Sequence, residues 1–248
     1  MQPNQTSRSL ALPIAIVIGF AIIAVAIFIS GSGKDNTESA VVREATNTRP
    51  SANELATRLH EPIATVTAND HIRGNPNAPM MFVTYTNYEC PACRNFYIAM
   101  NRILQEYGQN GLVAWTFRHL PLADNYPNSN KVANAAECVA ELGGSMAFWD
   151  FSDQLFGERS SLEPTQISRL PHYATEAGID EADFTSCVEE ERHVTQIKSQ
   201  SEDAFSSGAM AVPYTVVMAG EQVGTINGPQ PYIHLREIVE RTLAGADQ

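Results

Sequence analysis

Met80-Met81-Phe82-Val83-Thr84-Tyr85-Thr86-Asn87-Tyr88-Glu89-Cys90-Pro91-Ala92-Cys93 is a run of strand formers that gives way, at a pair of thiols, to a helical pattern. Downstream, Phe96, Met100, Ile103, Leu104 and Tyr107 recur at three- and four-residue steps, the mark of one buried helical face. Gly108–Gly111 stops that helix, and Leu112–Arg118 reads as a second strand. Strand, helix and strand with short joins make a βαβ unit, so the two strands should be parallel. The thiols then fall on the helix's first turn. There, free N–H groups and the helix dipole stabilise a thiolate. Lowering a thiol from pKa ~8.5 to about 7 takes roughly 2 kcal/mol, within reach of a helix N-terminus. Pro91 suits the first turn, because its missing N–H costs no bond there. Cys90, nearer the exposed end, reads as the nucleophile and Cys93 as the resolving thiol, with Pro91 and Ala92 forming the loop between them.

Further along, 128–207 reads as wholly helical, an insertion at about 124–208. Val132, Ala135, Ala136, Val139 and Leu142 form one stripe, halted by Gly143-Gly144. Phe148, Trp149, Phe151, Leu155 and Phe156 form an aromatic core patch. Pro171 is expected to kink a helix over 167–177, and Asp180 to cap the next one. Strand signals return at Tyr214–Met218 and Gln222–Ile226, joined through Ala219-Gly220-Glu221, and Pro231 opens a last helix. The order is βαβ, helical block, ββα.

Upstream, Asp70–Pro79 is turn-rich and Ile63–Thr67 reads as an edge strand. Residues 31–61 form a polar tether. Leu10–Ile29 is 20 residues without a charge, about 30 Å as a helix and enough to cross a bilayer. We therefore expect a short cytoplasmic segment over 1–9, a signal anchor over 10–30, and a folded domain over 62–248. Cleavage at Ser30-Gly31-Ser32 is the alternative for the span. Two further cysteines beside the reactive pair suit an oxidising compartment outside the cytoplasm. Beyond the span, 15 Lys+Arg (16 less Arg8) face 28 Asp+Glu, a net charge of −13. Such a domain should repel nucleic acid and anionic membrane surfaces.

From about Asp70 to Leu243 the chain resembles the DsbA/BdbD group of thiol–disulfide oxidoreductases. The resemblance rests on Asp70-His71-Ile72-Arg73-Gly74-Asn75-Pro76-Asn77-Ala78-Pro79, Tyr88-Glu89-Cys90-Pro91-Ala92-Cys93, Phe117-Arg118-His119-Leu120-Pro121-Leu122, Ala147-Phe148-Trp149 and Ala211-Val212-Pro213-Tyr214-Thr215-Val216. It implies an α/β thioredoxin fold with an inserted helical domain. It also implies a cis Val212–Pro213 peptide facing the disulfide, where the residues alone would leave a trans proline as the default. Val212, Met210 and Tyr214 would then line a peptide groove, with the Val212 backbone free for strand addition. The activity implied is oxidation of exported proteins with free cysteines, without a cofactor, on the outer side of a bacterial cytoplasmic membrane. A quinone-linked membrane partner, DsbB-like or VKOR-like, would reoxidise the pair. An isomerase or reductase would share every motif, whereas a non-catalytic chaperone of this fold would not need both thiols.

The chain also departs from the group. Acidic residues common on the strand and before the turn are replaced by Thr84 and Asn87. Glu89 is expected to face solvent, and Ala92 supplies no imidazole. A milder oxidant than the strongest relatives is the expectation. On the residues alone, Cys138 and Cys187 are either two buried thiols or a pair; some DsbA-like proteins carry a second disulfide at about these places. No metal is expected at the Cys90–Cys93 pair, because no second CxxC or HxxxH completes a zinc set. His119 reads as a structural histidine that could alternatively approach the thiols.

Overall fold

The computed structural model describes residues 62–158 and 164–246. The expected span over 10–30 and tether over 31–61 lie outside the described residues, among which no helix is long and apolar enough to cross a membrane. Five strands form one sheet in the order β1-β3-β2-β4-β5: β1 His71–Gly74, β2 Met80–Thr86, β3 Val113–His119, β4 Tyr214–Ala219 and β5 Gln222–Asn227. Strands β2 and β3 are parallel, and every other pairing is antiparallel. Helix α1, Pro91–Ile103, joins β2 to β3 through a π-helical turn at Leu104–Gly108. All seven positions of β2, and all seven of β3, are buried. That explains why β2 reads as a continuous run rather than an alternation: both of its faces are covered. Its polar Thr84 is satisfied inside the sheet, 3.0 Å from Thr215 Oγ1 and from Trp115 Nε1.

The edge of the sheet differs from the expectation. Residues 63–67 are irregular, and the edge strand is β1, within the stretch read as turns. Arg118 supplies the reason. Its buried guanidinium pairs with Asp70 and Asp203 and donates to the Thr65 carbonyl, so the incoming segment is held by side-chain bonds instead of a ladder. Gly74 ends β1 at φ +102°, where a Cβ would lie 2.9 Å from the Val113 carbonyl oxygen.

The helical block consists of α2 Ser129–Glu158, a 3₁₀ turn Ile167–Arg169, α3 Leu170–Glu176, α4 Glu181–Glu189 and α5 Val194–Ser206. Helix α2 breaks at Gly144 (φ 76°, ψ −173°). Pro171 does not kink a helix: it occupies the first turn of α3, where no N–H is missed. Asp180 caps α4, its Oδ1 accepting from the N–H groups of Ala182 and Asp183. A disulfide joins Cys138 on α2 to Cys187 on α4. The aromatic patch attaches the block to the sheet, with Phe148 5.4 Å from Phe117, Trp149 5.1 Å from Trp115 and Phe156 5.1 Å from Tyr88 between ring centroids. Helix α6, Tyr232–Ala246, packs on α1.

Candidate active site

The turn that carries the thiols is built from its own side chains. Asn87 Oδ1 accepts the Glu89 N–H at 2.9 Å, and the Asn87 carbonyl accepts the Cys90 N–H at 3.2 Å. This Asx turn delivers Cys90 to the N-cap of α1 with extended backbone (φ −84°, ψ 120°). Pro91 stands in the first turn, and Cys90 Sγ accepts the Cys93 N–H at 3.2 Å. Both thiols are reduced and almost covered, Cys90 2% and Cys93 1% exposed.

Their environments drive them apart. Cys90 is lowered to about 6, first by the hydrogen bond from the Cys93 thiol, which outweighs burial, then by the N–H groups of Cys93 and Ala92 and the Tyr126 hydroxyl. Cys93 is pushed well above the ordinary thiol range, chiefly by burial and by its bond to the Cys90 sulfur. The Thr86 hydroxyl and the Asn87 N–H work against that rise. A stabilised sulfur beside a deeper protonated one is the asymmetry that thiol exchange requires.

Opposite the pair lies the loop that leads into β4. The Val212–Pro213 peptide is cis, and Cys90 Sγ sits 3.7 Å from the Val212 carbonyl oxygen. Met210 on the same loop is 94% exposed. Tyr214 is not part of that surface. It is fully buried, its hydroxyl donates to the Ser207 carbonyl at 2.6 Å, and its ring leans on Tyr85. The alternation of β4 turns it to the face covered by α5, away from Cys90.

Glu89 corrects a second expectation. It is 1% exposed, and its carboxylate accepts the N–H of Asn128 at 2.8 Å and of Thr165 at 2.9 Å. Its charge is thus spent on two backbone donors of the helical block rather than on the neighbouring thiolate. The sequence carried no signal for this, and none for Tyr126, which precedes α2 and reaches Cys90 only through the chain's return.

His119 is structural. Its Nε2 lies 2.9 Å from the buried Glu137, which also meets His71 at 3.0 Å. Burial would raise Glu137, but the His119 and His71 rings hold it well below the usual carboxylate range. Among the described residues, no third ligand-type side chain gathers around Cys90 and Cys93 at metal-binding distance.

A family model described as thioredoxin matches residues 66–241. Among curated proteins, the Na(+)/H(+) antiporter NhaA 3 of Salinispora tropica is 32% identical over 158 residues, 64% of this chain and 23% of that protein. The NhaA 1 antiporter of Mycolicibacterium gilvum is 32% identical over 146 residues, 58% of this chain and 22% of that protein. The chain therefore spans less than a quarter of the length of these curated relatives. Among solved structures, oxidised BdbD from Bacillus subtilis superposes with a TM-score of 0.64 at 20% identity, covering 75% of this chain and 98% of that one. Chlamydia trachomatis DsbA superposes with a TM-score of 0.62 at 17% identity, covering 77% and 100%. At these identities the likeness to both structures is one of fold.

Proposed function

Because the chain belongs to the thioredoxin family, we propose that it is a thiol–disulfide oxidoreductase that passes a Cys90–Cys93 disulfide to exported proteins. The observation that carries this reading is the helix-capping Cys90 sulfur, lowered to about 6 beside a buried Cys93 that is pushed up. In the oxidised state, a client thiolate attacks Cys90 Sγ. The client–Cys90 bond forms, the Cys90–Cys93 bond breaks, and Cys93 leaves and takes up a proton. A second client thiolate then attacks the client sulfur of the mixed disulfide and expels Cys90 as a thiolate. The client loses two electrons and the Cys90–Cys93 pair gains them. A sulfur of pKa near 6 is a good leaving group, which favours the second step. A protonated Cys93 attacks the mixed disulfide slowly, so the client's own thiol has time to resolve it.

The long uncharged stretch at 10–29 supports a membrane anchor with the folded domain on the outer side of a bacterial cytoplasmic membrane. A quinone-linked membrane protein of DsbB or VKOR type would return the pair to its disulfide, and anchoring beside it raises the encounter concentration. Met210 and the Val212 backbone would meet the client segment. Ion transport is not part of this reading, since the antiporters that share the matched stretch are mostly composed of other sequence.

The test is to give the oxidised chain a reduced, unfolded ribonuclease and, in parallel, to give the reduced chain insulin. Recovery of ribonuclease activity, abolished by Cys90→Ser, is expected. A chain inactive in both assays would refute the enzyme reading, and insulin reduction alone would favour a reductase. With Ala92 in the loop, the expected potential lies below the roughly −120 mV of the strongest oxidant of this type.

A further inference from the structure

Away from Cys90, the helical block holds a second cluster of ligand-type side chains. The sulfurs of Cys138 and Cys187 and a ring nitrogen of His193 all lie within 4.8 Å of one another. Glu141, on α2 with Cys138, adds a carboxylate whose Oε2 is 2.9 Å from His193 Nε2 and 3.9 Å from Cys187 Sγ. Arg192 Nη1 holds the other oxygen at 2.8 Å, which leaves Oε2 beside His193 and Cys187. His193 Nε2 is buried, with the Glu141 carboxylate beside it. Its backbone is fixed on both sides. The His193 N–H donates to Asn134 Oδ1 at 3.1 Å, and its carbonyl accepts the Ile197 N–H at 3.0 Å.

We propose that the Cys138–Cys187 disulfide closes off a latent divalent-metal site. Once it is reduced, the two thiolates, His193 Nε2 and Glu141 Oε2 take up one zinc-class ion. Two sulfurs, one imidazole nitrogen and one carboxylate oxygen are a donor set that suits tetrahedral zinc. Charge balances as well: two thiolates and one carboxylate face a divalent ion and the Arg192 guanidinium. The chemistry needs a dithiol reductant, which gives two electrons and two protons to the sulfur–sulfur bond and becomes a disulfide itself. Metal binding then releases the two thiol protons. The ion would tie α2 to α4 when the disulfide does not, so the helical block stays stapled in either redox state. This proposal is independent of exchange at Cys90.

The test uses the full-length chain carrying Cys90→Ser and Cys93→Ser, so that the exchange pair offers no thiolate. After reduction with a phosphine and its anaerobic removal, cobalt(II) is titrated in as a spectroscopic stand-in for zinc. The reduced chain should bind one cobalt, with thiolate charge-transfer and tetrahedral visible bands that zinc abolishes, and the oxidised chain should bind none. His193→Ala should weaken binding by at least about tenfold. A natively folded reduced chain without the cobalt spectrum, or a His193→Ala variant that binds undiminished, overturns the proposal. If reduction loosens the fold, zinc must restore the native circular dichroism, and failure to do so overturns the proposal as well.

Discussion

A cysteine is a weak nucleophile until its surroundings change its acidity, and Cys90 draws on three kinds of neighbour: a second thiol, backbone N–H groups and a tyrosine hydroxyl. The first two were legible in the spacing of Cys90-Pro91-Ala92-Cys93. The third was not, because Tyr126 lies beyond β3 in the chain. Tyr126 contributes part of what the missing imidazole at Ala92 would have supplied. Ultraviolet titration of the reduced chain should show a thiolate midpoint near 6. Tyr126→Phe should raise it by about 0.7 of a pH unit, the equivalent of the ~1 kcal/mol that a hydroxyl hydrogen bond contributes. An unmoved midpoint would remove Tyr126 from the site. The folded value lies below the unfolded ~8.5, so this thiolate stabilises the reduced fold fully above about pH 8.5. That contribution is lost as pH falls through 6. The denaturant midpoint of the reduced chain, measured relative to the oxidised, should fall as pH is lowered through that window.

Among the elements, the decisive link is between the active-site turn and the helical block. Glu89 makes it, by accepting the Asn128 N–H just before α2 and the Thr165 N–H just before the 3₁₀ turn. A buried carboxylate with two charge-assisted bonds is costly to disturb. Glu89→Gln keeps the shape but turns an NH₂ toward one of the two donors. Chemical denaturation should show a loss of about 2–3 kcal/mol, together with slower exchange as the turn loosens. A loss below about 0.5 kcal/mol would mean that the two bonds contribute little to holding the turn. Edge strand β1 shows the opposite limit of legibility. Its four residues run straight into Asn75-Pro76 and carry too little pattern to outweigh turn chemistry, and only pairing with β3 makes them a strand.

At the scale of the whole molecule, distant segments are held by buried charge and by one covalent bond. Arg118 gathers Asp70, Asp203 and Tyr85 from three separate stretches of chain. Arg118→Met would leave Asp70 and Asp203 with no cation in this cluster, and equilibrium unfolding should show a loss of about 3–5 kcal/mol. The disulfide spans 49 residues. Replacing both Cys138 and Cys187 by Ala should lower stability by about 4 kcal/mol in the chain-entropy account, with exchange at Cys90 kept. Loss of exchange in a folded double variant would show that the second bond takes part in the chemistry. By itself, the sequence determined the βαβ unit, the helical block, the ββα close and the placing of two thiols on a helix's first turn. Each of these rests on periodicity and punctuation along neighbouring stretches of chain. Only the tertiary structure decided that Glu89 faces inward, that Tyr126 reaches Cys90, that Tyr214 is core and that His193 meets the second cysteine pair. The two donors that Glu89 meets lie 39 and 76 positions away, and no local pattern encodes which distant partner a side chain will meet once the core closes.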